Sequence, residues 1–74
     1  MSPDDKLIHM ANQIAGFFAA QGAERGVVGV VDHLQRFWDP RMRTRLLELA
    51  GERKAELSPL VLNALPRMRV PTQL

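Results

Sequence analysis

Few side chains in this sequence of 74 residues could carry out chemistry. The absence of cysteine excludes disulfides, thiolate zinc sites and cysteine-held iron–sulfur clusters. His9 and His33 lie on different predicted helices, and a single histidine near an apolar face is more often a hydrogen-bonded structural residue than a base. Asp4 and Asp5 fall in a first helical turn, where the helix dipole already accounts for them. We therefore predict no catalytic, cofactor-binding or metal-binding residue on this chain.

Three closely spaced glycines do not form a phosphate-binding loop. Gly22, Gly26 and Gly29 lack both a preceding strand and a following Lys-Ser/Thr pair. We expect these glycines to allow a turn and close packing of helices.

The segment 36–43, Arg-Phe-Trp-Asp-Pro-Arg-Met-Arg, is the most informative part of the sequence, because Trp and Arg are enriched at the energetic centres of protein interfaces. Two interpretations are open. In the first, Trp38 closes the core at a corner between two helices, Asp39 caps the second helix, and the arginines form a solvated face. In the second, Arg41 and Arg45 stand on one helix face and bind carboxylates or phosphates of a partner.

Capping signals divide the chain into helices. The pairs Ser2-Pro3, Asp39-Pro40 and Ser58-Pro59 each place a capping side chain before a proline suited to the first helical position. Apolar residues recurring every three or four positions predict helices over roughly 3–21, 24–37 and 40–51, and a short fourth helix that ends at Pro66. The fold class predicted is all-α, a small bundle of three to four short helices with an extended C-terminal tail.

The length of the chain limits it to one domain, which we assign to residues 1–66, with a flexible or partner-ordered tail over 67–74. A core in a chain of fewer than about 80 residues rarely supplies more than about 3–5 kcal/mol. The first two predicted helices are also apolar over a wide stripe, so we expect a partner chain to cover them, or self-association when the chain is isolated. No apolar run approaches the roughly 20 residues of a membrane span, and we predict a cytoplasmic protein without membrane contact.

Two blocks of sequence resemble the delta subunit of bacterial NAD-dependent formate dehydrogenases, over roughly residues 4–65. The first runs Asp-Lys-Leu-Ile-His-Met-Ala-Asn-Gln-Ile-Ala and continues to Phe17-Phe18, and the second is Asp32-His33-Leu34 followed by the segment 36–43. The resemblance implies a cytoplasmic complex whose alpha subunit carries a molybdenum or tungsten pterin cofactor and iron–sulfur clusters. It also implies FMN and further clusters on the beta and gamma subunits, with NAD bound there, and a small subunit outside the active centre.

We accordingly predict a non-catalytic accessory subunit that docks on the alpha subunit, and through it joins beta and gamma, to stabilise the complex or assist its assembly. Apolar residues of the first two helices would give affinity, and the arginines would give orientation. The predicted partner interface consists of Phe17, Phe18, Arg36, Phe37, Trp38, Arg41, Met42, Arg43 and Arg45. The alternative is a small dimeric helical regulator of nucleic acid or of an unrelated protein. Nucleic acid is the less favoured partner, because the third helix has few base-reading side chains apart from Thr44.

Overall fold

The predicted capping residues begin three of the four α-helices in a computed structural model of the chain, which describes residues 1–68. The Ser2 hydroxyl accepts a hydrogen bond from the Asp5 backbone N–H at 3.1 Å, and the Asp5 carboxylate accepts one from the Ser2 N–H at 3.1 Å. The Asp39 carboxylate and the Ser58 hydroxyl accept from the backbone N–H groups three residues ahead, at 2.9 and 3.3 Å. These bonds satisfy N–H groups that the helices leave unpaired at their first turns.

The α-helices of the described residues are α1 (Pro3–Ala19), α2 (Ala23–Phe37), α3 (Pro40–Glu52) and α4 (Pro59–Ala64). Short 3₁₀ turns at Lys54–Glu56 and Leu65–Arg67 follow α3 and α4. The predicted all-α class is confirmed, and no strand forms within residues 1–68. Gly22 makes the turn between α1 and α2 with a φ of 94°, a conformation that favours glycine because it has no Cβ.

The core lies where α1 packs against α2, α3 and α4, with α2 also packed against α4. Helix α1 thus contacts more than one neighbour, as its wide apolar stripe predicts. No polar or charged side chain is buried within the described residues. The buried apolar residues are Ile8, Ala11, Ala15, Val27, Val30, Leu34, Trp38, Leu46, Leu49, Leu57, Val61, Ala64, Leu65 and Met68.

The packed structure continues past the domain boundary predicted at residue 66. Met68 is buried in the core, and the guanidinium of Arg67 binds the carboxylate of Glu24 on α2 at 3.0 Å. The apolar side chain of Met68 fills space beside the last turn, which a pattern based on prolines does not foresee. The rest of the predicted tail, 69–74, lies outside the described residues.

Candidate partner-binding face

Four aromatic side chains form a continuous line across the surface of α1 and α2. We call this line, Phe17, Phe18, His33 and Phe37, the aromatic row. The Phe17 and Phe18 ring centroids are 5.0 Å apart at an interplanar angle of 87°, and the Phe18 and His33 centroids are 6.3 Å apart. The row ends with the His33 and Phe37 rings, whose centroids are 4.8 Å apart. Phe17 and Phe37 are 72% and 71% exposed, so the two ends of the row lie in solvent.

The backbone of α2 provides the seat for Phe18. A Cβ atom added to Gly29 would lie 2.3 Å from Phe18 Cδ1 and 2.9 Å from Phe18 Cγ, which is closer than real Cβ contacts occur. A Cβ on Gly26 would lie 3.1 Å from the Phe18 carbonyl oxygen. The two glycines therefore allow α1 and α2 to approach closely, as expected from the sequence, and the Phe18 ring rests on the helix backbone.

An open apolar groove runs along the row on the α1 side, lined by Gln13, Ile14, Phe17, Phe18 and His33. Met10, which is 39% exposed, lies two helical turns before Phe17 and extends the apolar surface along α1. Contiguous exposed apolar surface of this kind is typical of sites that bind another macromolecule. The row and its groove are therefore the candidate partner-binding face.

Arg45 takes part in a group of ion pairs within the chain. Its guanidinium donates to both carboxylate oxygens of Asp4, at 2.9 and 2.8 Å, and to Glu48 and Glu52 at 2.8 and 3.2 Å. Arg53 makes similar contacts, at 2.6 Å to Asp5 and 2.7 Å to Glu56. We call these residues the ion-pair cluster: Asp4, Asp5, Arg45, Glu48, Glu52, Arg53 and Glu56.

The ion-pair cluster lowers the pKa of three of its carboxyl groups, those of Asp4, Asp5 and Glu56. The hydrogen bond from the Arg53 guanidinium, together with the hydrogen bonds that Asp5 makes with Ser2, lowers the pKa of Asp5 to about 2. The hydrogen bonds from Arg45 hold the pKa of Asp4 below its ordinary value, and those from Arg53 do the same for the pKa of Glu56. The cluster therefore holds α1 to α3 and to the 3₁₀ turn after α3 through charge pairing.

The remaining residues of the predicted interface are divided between core and surface. Trp38 is only 4% exposed, so the structure favours the first interpretation, in which it closes the corner between α2 and α3. The Arg43 guanidinium donates to the Trp38 carbonyl oxygen at the end of α2. Arg36 pairs with Asp32 at 3.0 Å, Arg41 is exposed, and Met42 is half-buried.

The structure thus brings together the three predicted phenylalanines and leaves the predicted arginines apart from them or paired within the chain. A contact of Trp38, Arg43 or Arg45 with a partner stays a prediction. His33 and Gly29 were not in the predicted interface, although both belong to the face. The spacing of His33 four residues before Phe37, which places them on one side of a helix, was the available signal.

Neither a metal site nor a membrane span competes with this interpretation of the face in the part of the chain that the structure describes. Residues 1–68 contain no group of three or more His, Cys, Asp or Glu side chains able to hold a metal ion. None of their helices combines the length and the apolar character needed to cross a bilayer.

A family model described as NADH-dependent formate dehydrogenase delta subunit FdsD matches residues 6–65. The chain belongs to this family. The matched range covers the whole aromatic row of the delta subunit, and the resemblance noted in the sequence is confirmed. No curated protein and no solved structure matches the chain.

Proposed function

We propose that this delta subunit is a non-catalytic part of the formate dehydrogenase complex and docks on the large catalytic subunit through the aromatic row. In this proposal the chain stabilises the cytoplasmic complex or assists its assembly. The molybdenum or tungsten pterin, the iron–sulfur clusters, FMN and NAD lie on the partner subunits. The exposure of two phenylalanine rings, Phe17 and Phe37, at the ends of one row carries the proposal.

Burial of the exposed rings of the row would favour docking. Burying a phenylalanine side chain from water contributes about 1.5–3 kcal/mol, and Phe17 and Phe37 both have most of their surface left to bury. Half-buried Phe18 and Ile14 lie between them and give the face a continuous apolar centre. Apolar and aromatic centres of this kind contribute most of the affinity in protein interfaces.

The test is retention of the chain on a tagged large subunit, with all subunits coexpressed. We expect Phe17→Ser to reduce the amount of delta subunit recovered per complex by about tenfold or more, because truncating an aromatic residue that anchors an interface costs about 2 kcal/mol or more. Helical content of the purified variant should be unchanged, because serine and phenylalanine have similar helix propensities.

Val28→Ser is the matched control. Val28 is 51% exposed and lies on α2 outside the aromatic row, so its replacement removes exposed apolar surface without touching the face. Equal retention of the Phe17 and Val28 variants would contradict docking through the row. Loss of both variants from the complex, with both folded, would contradict it as well.

A further inference from the structure

We infer that the partner surface received by the aromatic row is acidic, with carboxylates arranged around an apolar centre. The juxtaposition behind this inference is an apolar row whose helix faces also carry exposed cations that form no ion pair with any residue of 1–68. The inference rests on the proposed function, since it describes the partner that the row docks on.

All of the acidic side chains in the sequence are already engaged. The sequence contains eight Asp and Glu residues, and each lies within residues 1–68. Seven form ion pairs, and Asp39 caps α3 through the Met42 N–H. The paired ones are Asp4, Glu48 and Glu52 with Arg45, Asp5 and Glu56 with Arg53, Glu24 with Arg67, and Asp32 with Arg36.

Several cations have no such counterpart. Lys6, Arg25, Arg41 and Lys54 are exposed and form no ion pair with any described residue. A cation that is left unpaired beside an interface favours carboxylates on the opposite surface, both by attraction and by steering the encounter.

Two of these cations lie on the helix faces that carry the aromatic row. Lys6 lies one turn before Met10 on the face of α1 that carries Phe17. Arg25 lies one turn before Gly29, against which the Phe18 ring packs, whereas Arg41 lines a groove on α3 together with Arg45 and Glu48.

The fourth unpaired cation, Lys54, lies away from the row. It belongs to the 3₁₀ turn that the Asn12 side chain holds, through a 2.9 Å hydrogen bond to the Glu56 carbonyl oxygen. Asn12 and Phe17 point to different sides of α1, because five residues advance a helix by about 500°. Lys54 therefore serves as an internal control for charge.

An acidic protein surface fits the row better than two other occupants. A second copy of the chain would bring the same unpaired cations against one another, which opposes self-association through this face. Bases of single-stranded nucleic acid stack on exposed ring faces. The 87° angle between the Phe17 and Phe18 rings gives no shared plane for successive bases.

The test compares single charge reversals that change net charge equally. Wild-type and variant chains are coexpressed with the tagged large subunit and the other subunits, and mass spectrometry gives their ratio in the complex and in the free pool. We expect Lys6→Glu and Arg25→Glu each to lower incorporation about three- to tenfold at low salt, and less at about 0.5 M salt. Lys54→Glu should compete within about twofold of the wild type, since a surface charge far from the partner contributes little.

The outcomes separate the two proposals. If the two flanking variants compete as well as Lys54→Glu while Phe17→Ser is lost, the partner surface is not acidic and docking through the row stands. If Phe17→Ser is retained like Val28→Ser, docking through the row itself falls. Nuclease treatment that releases the wild-type chain, or tight binding of the chain to a single-stranded RNA oligonucleotide that the flanking variants abolish, would assign the cations to nucleic acid and overturn the inference.

Discussion

The aromatic row and the ion-pair cluster differ in whether their side chains are satisfied by contacts within the chain. In the ion-pair cluster the charges have partners within the chain, and Arg45 alone binds three carboxylates. In the aromatic row the rings contact one another, yet the Phe17 and Phe37 side chains remain mostly in solvent. The charges of the cluster are thus paired within the chain, whereas the apolar surface of the row is left uncovered.

This difference separates residues that hold the fold from residues that are free to bind. Arg45 and Arg53 join segments that are distant in sequence, whereas the exposed rings of Phe17 and Phe37 contribute little to the core. Arginine is a common interface residue, but a guanidinium that already has three acceptors has few donors left for a partner. Exposed side chains that lack a partner within the chain therefore indicate the docking surface of this subunit better than residue type does.

The largest effect on the free energy of unfolding is expected at the boundary between the row and the core, where two adjacent aromatic residues differ in exposure. Trp38 is 4% exposed and Phe37 is 71% exposed. We expect Trp38→Ala to cost about 3–5 kcal/mol, because it leaves a cavity in the core. That loss is comparable to the whole stability of a domain this small, so the variant should be largely unfolded at 25 °C.

Phe37→Ala is the comparison for Trp38→Ala and should change the free energy of unfolding by no more than about 0.5 kcal/mol, as exposed substitutions usually do. Urea unfolding followed by circular dichroism measures both variants. If Phe37→Ala were as destabilising as Trp38→Ala, the row would be part of the core and its role in docking would lose its basis.

The unequal burial of Phe37 and Trp38 also shows which features of the fold can be predicted from the sequence and which cannot. The capping pairs predicted where α1, α3 and α4 begin, since a cap depends only on residues within one turn. A period of three to four residues would also place Phe37 beside Leu34 on one face of α2. The buried stripe instead runs Val27, Val30, Leu34 and Trp38, because the chain leaves α2 at Trp38 and turns this side chain into the corner before α3.

Long-range contacts could not be predicted from the sequence, for a different reason. The pairs Asp4–Arg45 and Asp5–Arg53 join residues that lie 41 and 48 positions apart, and nothing local in the sequence selects one arginine among several. The apolar residues of the candidate face were recognisable as a surplus on the first two helices. Their assembly into one row depended on the close approach of α1 and α2 at Gly29, which helical periodicity does not specify.

A smaller effect on stability is expected at Gly29, against which the Phe18 ring packs. Gly29→Ala would force the Phe18 ring away from α2, and overpacking of this kind costs about 1–3 kcal/mol, partly offset by a gain of up to about 1 kcal/mol in helix propensity. Gly16→Ala is the matched control on α1, because a Cβ there meets nothing within 4 Å. The expected order of melting temperatures is Gly16→Ala above wild type above Gly29→Ala.

We also expect less of the Gly29→Ala chain than of the wild type to be retained on the tagged large subunit, because a displaced Phe18 ring disturbs the row and its groove. A Gly29→Ala chain that melts above the wild type and is fully retained would show that the seat does not determine the geometry of the face.

The smallest effect is expected in the ion-pair cluster, where Arg45→Met removes a guanidinium and leaves Asp4, Glu48 and Glu52 close together. The pKa of Asp4 is lowered by Arg45 in the folded chain, so this pair stabilises the fold above the ordinary pKa of a carboxyl group and loses that effect as the pH falls through the lowered value. We expect Arg45→Met to lower the melting temperature at pH 7, and the difference from wild type to shrink as the pH is lowered below about 4. High salt should also reduce the difference, because the group is partly exposed.

The same variant, Arg45→Met, tests whether the ion-pair cluster contacts the partner in addition to the aromatic row. The test measures its melting temperature and its retention in the complex together. If the arginine only holds α1 to α3, a chain folded at the assay temperature should be retained on the large subunit to within about twofold of the wild type. Loss from the complex without a change in melting temperature would instead assign Arg45 to the partner, as first predicted from the sequence. Because Arg45 binds three carboxylates of its own chain, such a loss would require the partner to displace at least one of them, and the freed carboxylate would have to find a new donor across the interface.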